Sequence, residues 1–176
     1  MKNLFVFILM LLLFGCTPEN PTPNPTSFTI GQSYQGGIIA YIDASGLHGL
    51  IAAPSNQGTA KWGCNGTGIS GADGVAIGTG AQNTLDIMNG CSEAGIAARI
   101  CGDLVLGSYS DWYLPSIDEL NLLYINRIAI GGFTPNGYWS STEFGNGAAE
   151  YFRFNFGSAY YTDKGITCYV RAVRSF

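Results

Sequence analysis

The chain has 176 residues, of which 11% are charged, 13% are aromatic and 25 are glycine. That balance excludes a disordered chain, which needs low hydrophobicity and high net charge, and it favours short strands and tight turns over a helical bundle. The formal net charge is −4, from 8 Lys and Arg against 12 Asp and Glu with no basic run, which excludes a nucleic-acid partner or a polyanion held by charge alone.

The first element is a leader. Lys2 precedes Leu4–Phe14, LFVFILMLLLF, an unbroken apolar run of eleven residues. A spanning helix needs about 20, so the run reads as an export signal. It ends in Leu13-Phe14-Gly15-Cys16, which resembles a bacterial lipobox, with Phe14 where a small residue is usual. An ordinary signal peptide with an incidental cysteine is the alternative; the place of Cys16, where the apolar run stops, favours lipidation. Residues 1–15 therefore read as a lipoprotein signal peptide and 16–27 as the lipidated cysteine and a tether. Thr17–Ser27, TPENPTPNPTS, holds four of the seven prolines and reads as extended and semi-rigid. The expected location is the bacterial cell envelope, lipid-anchored to the outer membrane and facing periplasm or exterior.

The domain then spans 28–176. Gly36–Asp43 and His48–Ala53 are short apolar runs around an Asp43-Ala44-Ser45-Gly46 turn, a predicted hairpin. Asn56–Gly80 is glycine-rich and irregular. Leu85 and Met88 set a helical spacing over Gln82–Met88, and a second helix is predicted from Ser92, as N-cap, to Cys101 or Leu104. In Asp111–Leu120, DWYLPSIDEL, Ser116 and Glu119 form a capping box, with Asp118 in the first turn and Ile117, Leu120, Leu123 and Tyr124 on one apolar face. These two carboxylates thus have structural roles, and no catalytic residue is assigned. Gly137–Glu143 reads as a strand. Ala148–Phe156 alternates, with Phe152, Phe154 and Phe156 on one side, and turns at Gly157-Ser158 into Ala159–Thr162; Thr167–Val173 reads as the closing strand. Strands, then helices, then antiparallel strands define an α+β domain.

With Cys16 assigned to lipid, Cys64, Cys91, Cys101 and Cys168 remain, an even number that predicts two disulfides in an exported chain; three connectivities are open. No C-x-x-C occurs and His48 is the one histidine, so neither metal nor cofactor is expected.

Four segments carry a family resemblance: CGDLVLGSYSDWYLPSIDELNLLY (Cys101–Tyr124), GGFTPNGYWSSTE (Gly131–Glu143), EYFRFNFG (Glu150–Gly157) and YVRAVR (Tyr169–Arg174). Together they resemble the bacterial family named after the C-terminal domain of the Lcl collagen-like adhesin, over roughly Gly36–Phe176. That family is similar to C-type-lectin-like domains, which implies two central helices and a mostly antiparallel sheet. The resemblance also implies pairing of Cys101 with Cys168, and hence of Cys64 with Cys91. Many members place a cysteine where this chain has Ala172. The calcium-dependent sugar motifs of true C-type lectins are absent, since Thr134-Pro135-Asn136 lacks the leading acid.

The resemblance implies a binding module whose ligand is a glycan or host or matrix material, serving adhesion or recognition. Tyr138, Trp139, Tyr151, Tyr160 and Tyr161 are the candidate stacking residues; Glu143, Asn146, Arg153 and Asp163 are candidate hydrogen-bonding partners. Packing between strands is the alternative for any one of these rings. A structural envelope component binding another protein is the second reading. An enzyme is not expected: related oxidases of the broader fold need a reactive cysteine pair or several histidines, and no G-x-S-x-G elbow is present.

Overall fold

The two ends of the domain meet in one sheet. In the computed structural model, which describes residues 27–176, β1 (Ser33–Tyr34), β2 (Gly37–Ile42) and β3 (Gly49–Ala52) form an antiparallel ribbon. The chain's last strand, β9 (Val173–Ser175), adds to β3 with Ile51 opposite Arg174. Residues 1–26, including the expected signal, Cys16 and nearly all of the tether, lie outside the described residues. Asp43 closes the β2–β3 hairpin: its amide donates to the His48 carbonyl at 2.8 Å, and its carboxylate accepts from the Ser45 amide at 3.0 Å. Gly49 allows the two strands to close, because a Cβ there would collide with the Tyr41 carbonyl.

A second sheet has the spatial order β4 (Thr59–Lys61), β8 (Thr167–Tyr169), β5 (Gly137–Gly145), β6 (Ala148–Arg153) and β7 (Ser158–Asp163). Its pairings are antiparallel except for the short contact of β5 with β8 at Tyr138 and Tyr169. The closing run predicted as one strand is therefore two. It breaks at Val170–Ala172, where the Val170 and Ala172 carbonyls accept from the Gln57 and Ala53 amides, and the chain crosses between sheets. The turn after β6 also comes earlier than the alternation suggests. The Phe156 and Gly157 amides both donate to the Arg153 carbonyl, so Phe152 and Phe154 stay buried while Phe156 turns out to solvent.

Four helices lie between these strands: α1 (Gly80–Gly90), α2 (Ala97–Gly102), α3 (Ile117–Ile125) and α4 (Arg127–Ile130). Ser92 does not cap α2, which begins five residues later after extended Ile96. Arg99 explains the delay, since its guanidinium donates to the Met88, Cys91 and Glu93 carbonyls and holds that stretch as an irregular link. α3 has the capping box: Ser116 Oγ accepts from the Glu119 amide at 3.3 Å, and Glu119 Oε2 accepts from the Ser116 amide at 2.8 Å. Its Leu120 and Leu123 are fully buried, each stabilising the fold by about 1.5–3 kcal/mol through apolar area removed from water. They meet Tyr138, Phe152 and Phe154 in the smaller of two cores; the larger holds Ile39, Trp62, Ile87, Trp112 and Trp139.

Among the described residues one disulfide is formed, Cys64–Cys91, tying the glycine-rich loop to the end of α1. The expected partner bridge between Cys101 and Cys168 is not: both are free, buried thiols. Cys101 lies on the buried face of α2, whereas Cys168 sits beside Gly137 of the neighbouring β5. Burial pushes the Cys168 thiol up to about 11 and that of Cys101 higher, so both stay protonated and pack as small apolar groups.

Candidate functional site

The family-like motifs build the frame. Arg174 forms a bidentate pair with Asp111, Nε to Oδ1 at 2.7 Å and Nη2 to Oδ2 at 2.8 Å, and lies over the Tyr109 ring. The hydrogen bonds from this guanidinium, and then its charge, hold the Asp111 carboxyl below the usual carboxylate range. Arg171, almost fully buried, donates to the Ala53 and Gly131 carbonyls and to Asn56 Oδ1, and stacks 4.1 Å above the Phe133 ring. Burial lowers its guanidinium to about 10. Glu119 is wholly enclosed; burial raises its carboxyl, while the Ser116 and Gly78 amides and the Tyr113 hydroxyl bond the charged form.

The residues expected at the ligand separate into two groups. Tyr138 and Trp139 are completely buried and offer no face to a ligand. The Tyr138 hydroxyl accepts from the Thr134 amide at 2.8 Å, and Trp139 Nε1 donates to the Ala60 carbonyl at 2.9 Å. Both are pinned at the centre of the second sheet, one toward each core. Glu143 is also occupied: it accepts from the Ile69 amide and pairs with Lys164, whose side chain is completely buried. Asp163 accepts from Asn65 Nδ2 at 2.9 Å.

Tyr151, Arg153 and Tyr161 do reach the surface, on and beside β7. Tyr151 tilts between buried Trp139 and exposed Tyr160, and the Arg153 guanidinium lies 4.3 Å over Phe156 and 5.8 Å from Tyr160. Tyr161 stacks on Phe144 with centroids 4.0 Å apart and planes within 3°, although the rings are 61% and 57% exposed. Sequence reasoning missed Phe144 and placed Phe156 on one side of its strand with Phe152 and Phe154, which are buried while Phe156 is 60% exposed. Nothing in the residue pattern marks Phe144 as uncovered, because its exposure depends on where neighbouring elements stop.

β7 lies at the edge of its sheet, bonded to β6 alone among the described residues, and no residue in it is buried. Charge is sparse there, with Arg153 on one side of the strand pair and Glu150 on the other. Glu150 sits opposite Tyr161, and its carboxyl is raised by partial burial and by the charge of Asp118. Among the described residues, one cluster brings three metal-type ligands together, Cys64, Cys91 and Glu93. Its two sulfurs are bonded to each other and Glu93 accepts from the Cys64 amide, so the cluster is a loop staple.

An α+β domain with two mostly antiparallel sheets and an open aromatic edge is the class of protein defined here. The family follows from the chain itself: a model of the Lcl C-terminal domain matches residues 55–174, and the chain belongs to that family. No curated protein matches the chain.

Proposed function

We propose that the domain is a recognition module, held at the bacterial envelope by lipid on Cys16 and the proline-rich tether. It binds glycan or matrix material on the aromatic surface around β7, without chemical turnover. The coplanar Phe144–Tyr161 pair carries this reading. Two large rings left in water on the face of the β6–β7 pair that also carries Glu150 form an exposed aromatic patch of the kind that marks an interaction site, while Tyr160 and Phe156 under Arg153 lie on the opposite face. Aromatic planes stack on the CH faces of sugars, and Glu150, opposite Tyr161, supplies hydrogen bonds at the rim. The resemblance to an adhesin domain supports the same reading.

A glycan array probed with the purified protein is the test. Saturable binding that is lost in Tyr161→Ala and Phe144→Ala is expected; binding untouched by both variants refutes the surface. The bare edge of β7 favours a second reading, a protein partner that adds a strand, since β7 contains neither Lys nor Pro to block it. A silent array together with saturable binding to a purified envelope protein selects that alternative.

A further inference from the structure

A pocket separate from β7 opens between the β2–β3 hairpin and β9, with a volume of about 330 Å³. Its apolar wall includes Tyr41, Leu50 and Ile77, Phe176 borders it, and Asp43, His48 and Ser175 contribute the polar atoms. The volume is at the low end for small-molecule sites and fits one small ring system.

The polar groups have definite hydrogen-bond directions. The Tyr113 hydroxyl donates to Glu119 Oε1 at 3.2 Å, so at its 3.1 Å contact with Ser175 it accepts, and the Ser175 proton points inward. Ser175 therefore presents oxygen lone pairs to the pocket. This serine is wired through two enclosed residues of the DWYLPSIDEL segment, and Glu119 also binds the amide of Gly78 in the pocket rim. Asp43 Oδ1 is taken by the Ser45 amide and hydroxyl, which leaves Oδ2 as a second acceptor. The His48 side chain has no hydrogen-bond partner among the described residues and is exposed at the rim.

Acceptors beside the Tyr41 ring and the Leu50 and Ile77 side chains suit a ligand that carries several hydroxyl donors on an apolar ring. No Lys or Arg lines the pocket, and the Asp43 charge repels anions. One Asp and one His side chain are also too few ligands for a metal ion. The Ser175 hydroxyl is bonded to Tyr113 rather than to His48, so the serine has no imidazole base and the pocket is arranged for binding.

We infer that this pocket holds a single neutral sugar residue, one pyranose face against the Tyr41 ring, with hydroxyls donating to Asp43 and Ser175 beside His48. The site is distinct from the β7 surface and does not depend on it.

The test uses full-length protein in detergent, titrated with methyl glycosides of glucose, galactose, mannose and N-acetylglucosamine by calorimetry and saturation-transfer NMR. At least one glycoside is expected to bind in the millimolar range or tighter. His48→Ala, at an exposed side chain that makes no bond in the fold, is expected to weaken it about tenfold, as is Asp43→Asn. In Tyr161→Ala the glycoside still binds while array binding is lost, which separates the two sites. The inference is overturned if no glycoside binds, if His48→Ala and Asp43→Asn both bind as wild type does, or if methylammonium or acetate displaces every glycoside.

Discussion

Replacing Lys164 by Met removes an ammonium that holds the long irregular loop to the second sheet. The Lys164 side chain is completely buried; its Nζ donates to the Thr67 carbonyl at 2.9 Å, pairs with Glu143 and lies 4.4 Å from the Trp62 ring centroid. Methionine fills the same volume, so packing is largely kept. What is lost is the partner of a carboxylate that is 11% exposed and would retain the Ile69 amide as its donor. Breaking a buried ion pair from one side costs about 3–5 kcal/mol, and the remaining amide puts this case near about 3 kcal/mol. For a domain of this size that lowers Tm by about 6–12 °C. Urea and thermal unfolding of wild type, Lys164→Met, Glu143→Met and the double variant measure it. The double variant is expected to recover stability relative to either single one, because no charge is then left uncompensated. A Lys164→Met protein within about 0.5 kcal/mol of wild type, the range of ordinary surface substitutions, refutes the reasoning.

Arg171→Lys keeps the charge, but one ammonium cannot reach Ala53, Asn56 and Gly131 together. A loss of about 2–3 kcal/mol in urea unfolding is expected, and an unchanged midpoint argues against the staple. Asp111 has a depressed carboxyl because of Arg174, so its contribution is present above the ordinary carboxylate pKa and fades as pH falls through its lower folded value. The stability gap between wild type and Asp111→Asn should therefore be present at neutral pH and close in acid; a gap that widens in acid contradicts the ion pair. Reducing Cys64–Cys91 opens a 27-residue separation, worth about 3.5 kcal/mol by loop entropy. In unreduced, denatured Cys16→Ser protein, two reactive thiols are expected from Cys101 and Cys168; four, or none, refutes the pairing.

What was legible in the sequence is what local chemistry decides. The Ser116–Glu119 box needs only three residues of spacing, and the Asp43–Gly46 turn needs only its own side chains, so both elements were readable. The Phe152 and Phe154 alternation was readable for the same reason, up to the residue where the backbone turned. Exposure was not readable: Trp139 and Tyr161 are both aromatic residues in strands, yet one lies at 0% and the other at 61%. The difference is whether a second layer covers that part of the sheet. The Cys101–Cys168 pairing failed likewise, because a bridge depends on where two sulfurs point across the core. The pocket at His48 escaped notice because its members are far apart along the chain, from Tyr41 to Phe176.

The crossing of Thr167–Ser175 from one sheet to the other sets the order in which the domain can be made. β8 is the strand that joins β4 to β5, and β9 pairs with β3, which lies more than a hundred residues earlier. Neither sheet is complete until the last few residues of the domain have left the ribosome. The growing chain therefore has local helices and hairpins but no finished core during synthesis. Both sheets then close together, as one late event triggered by the final strands.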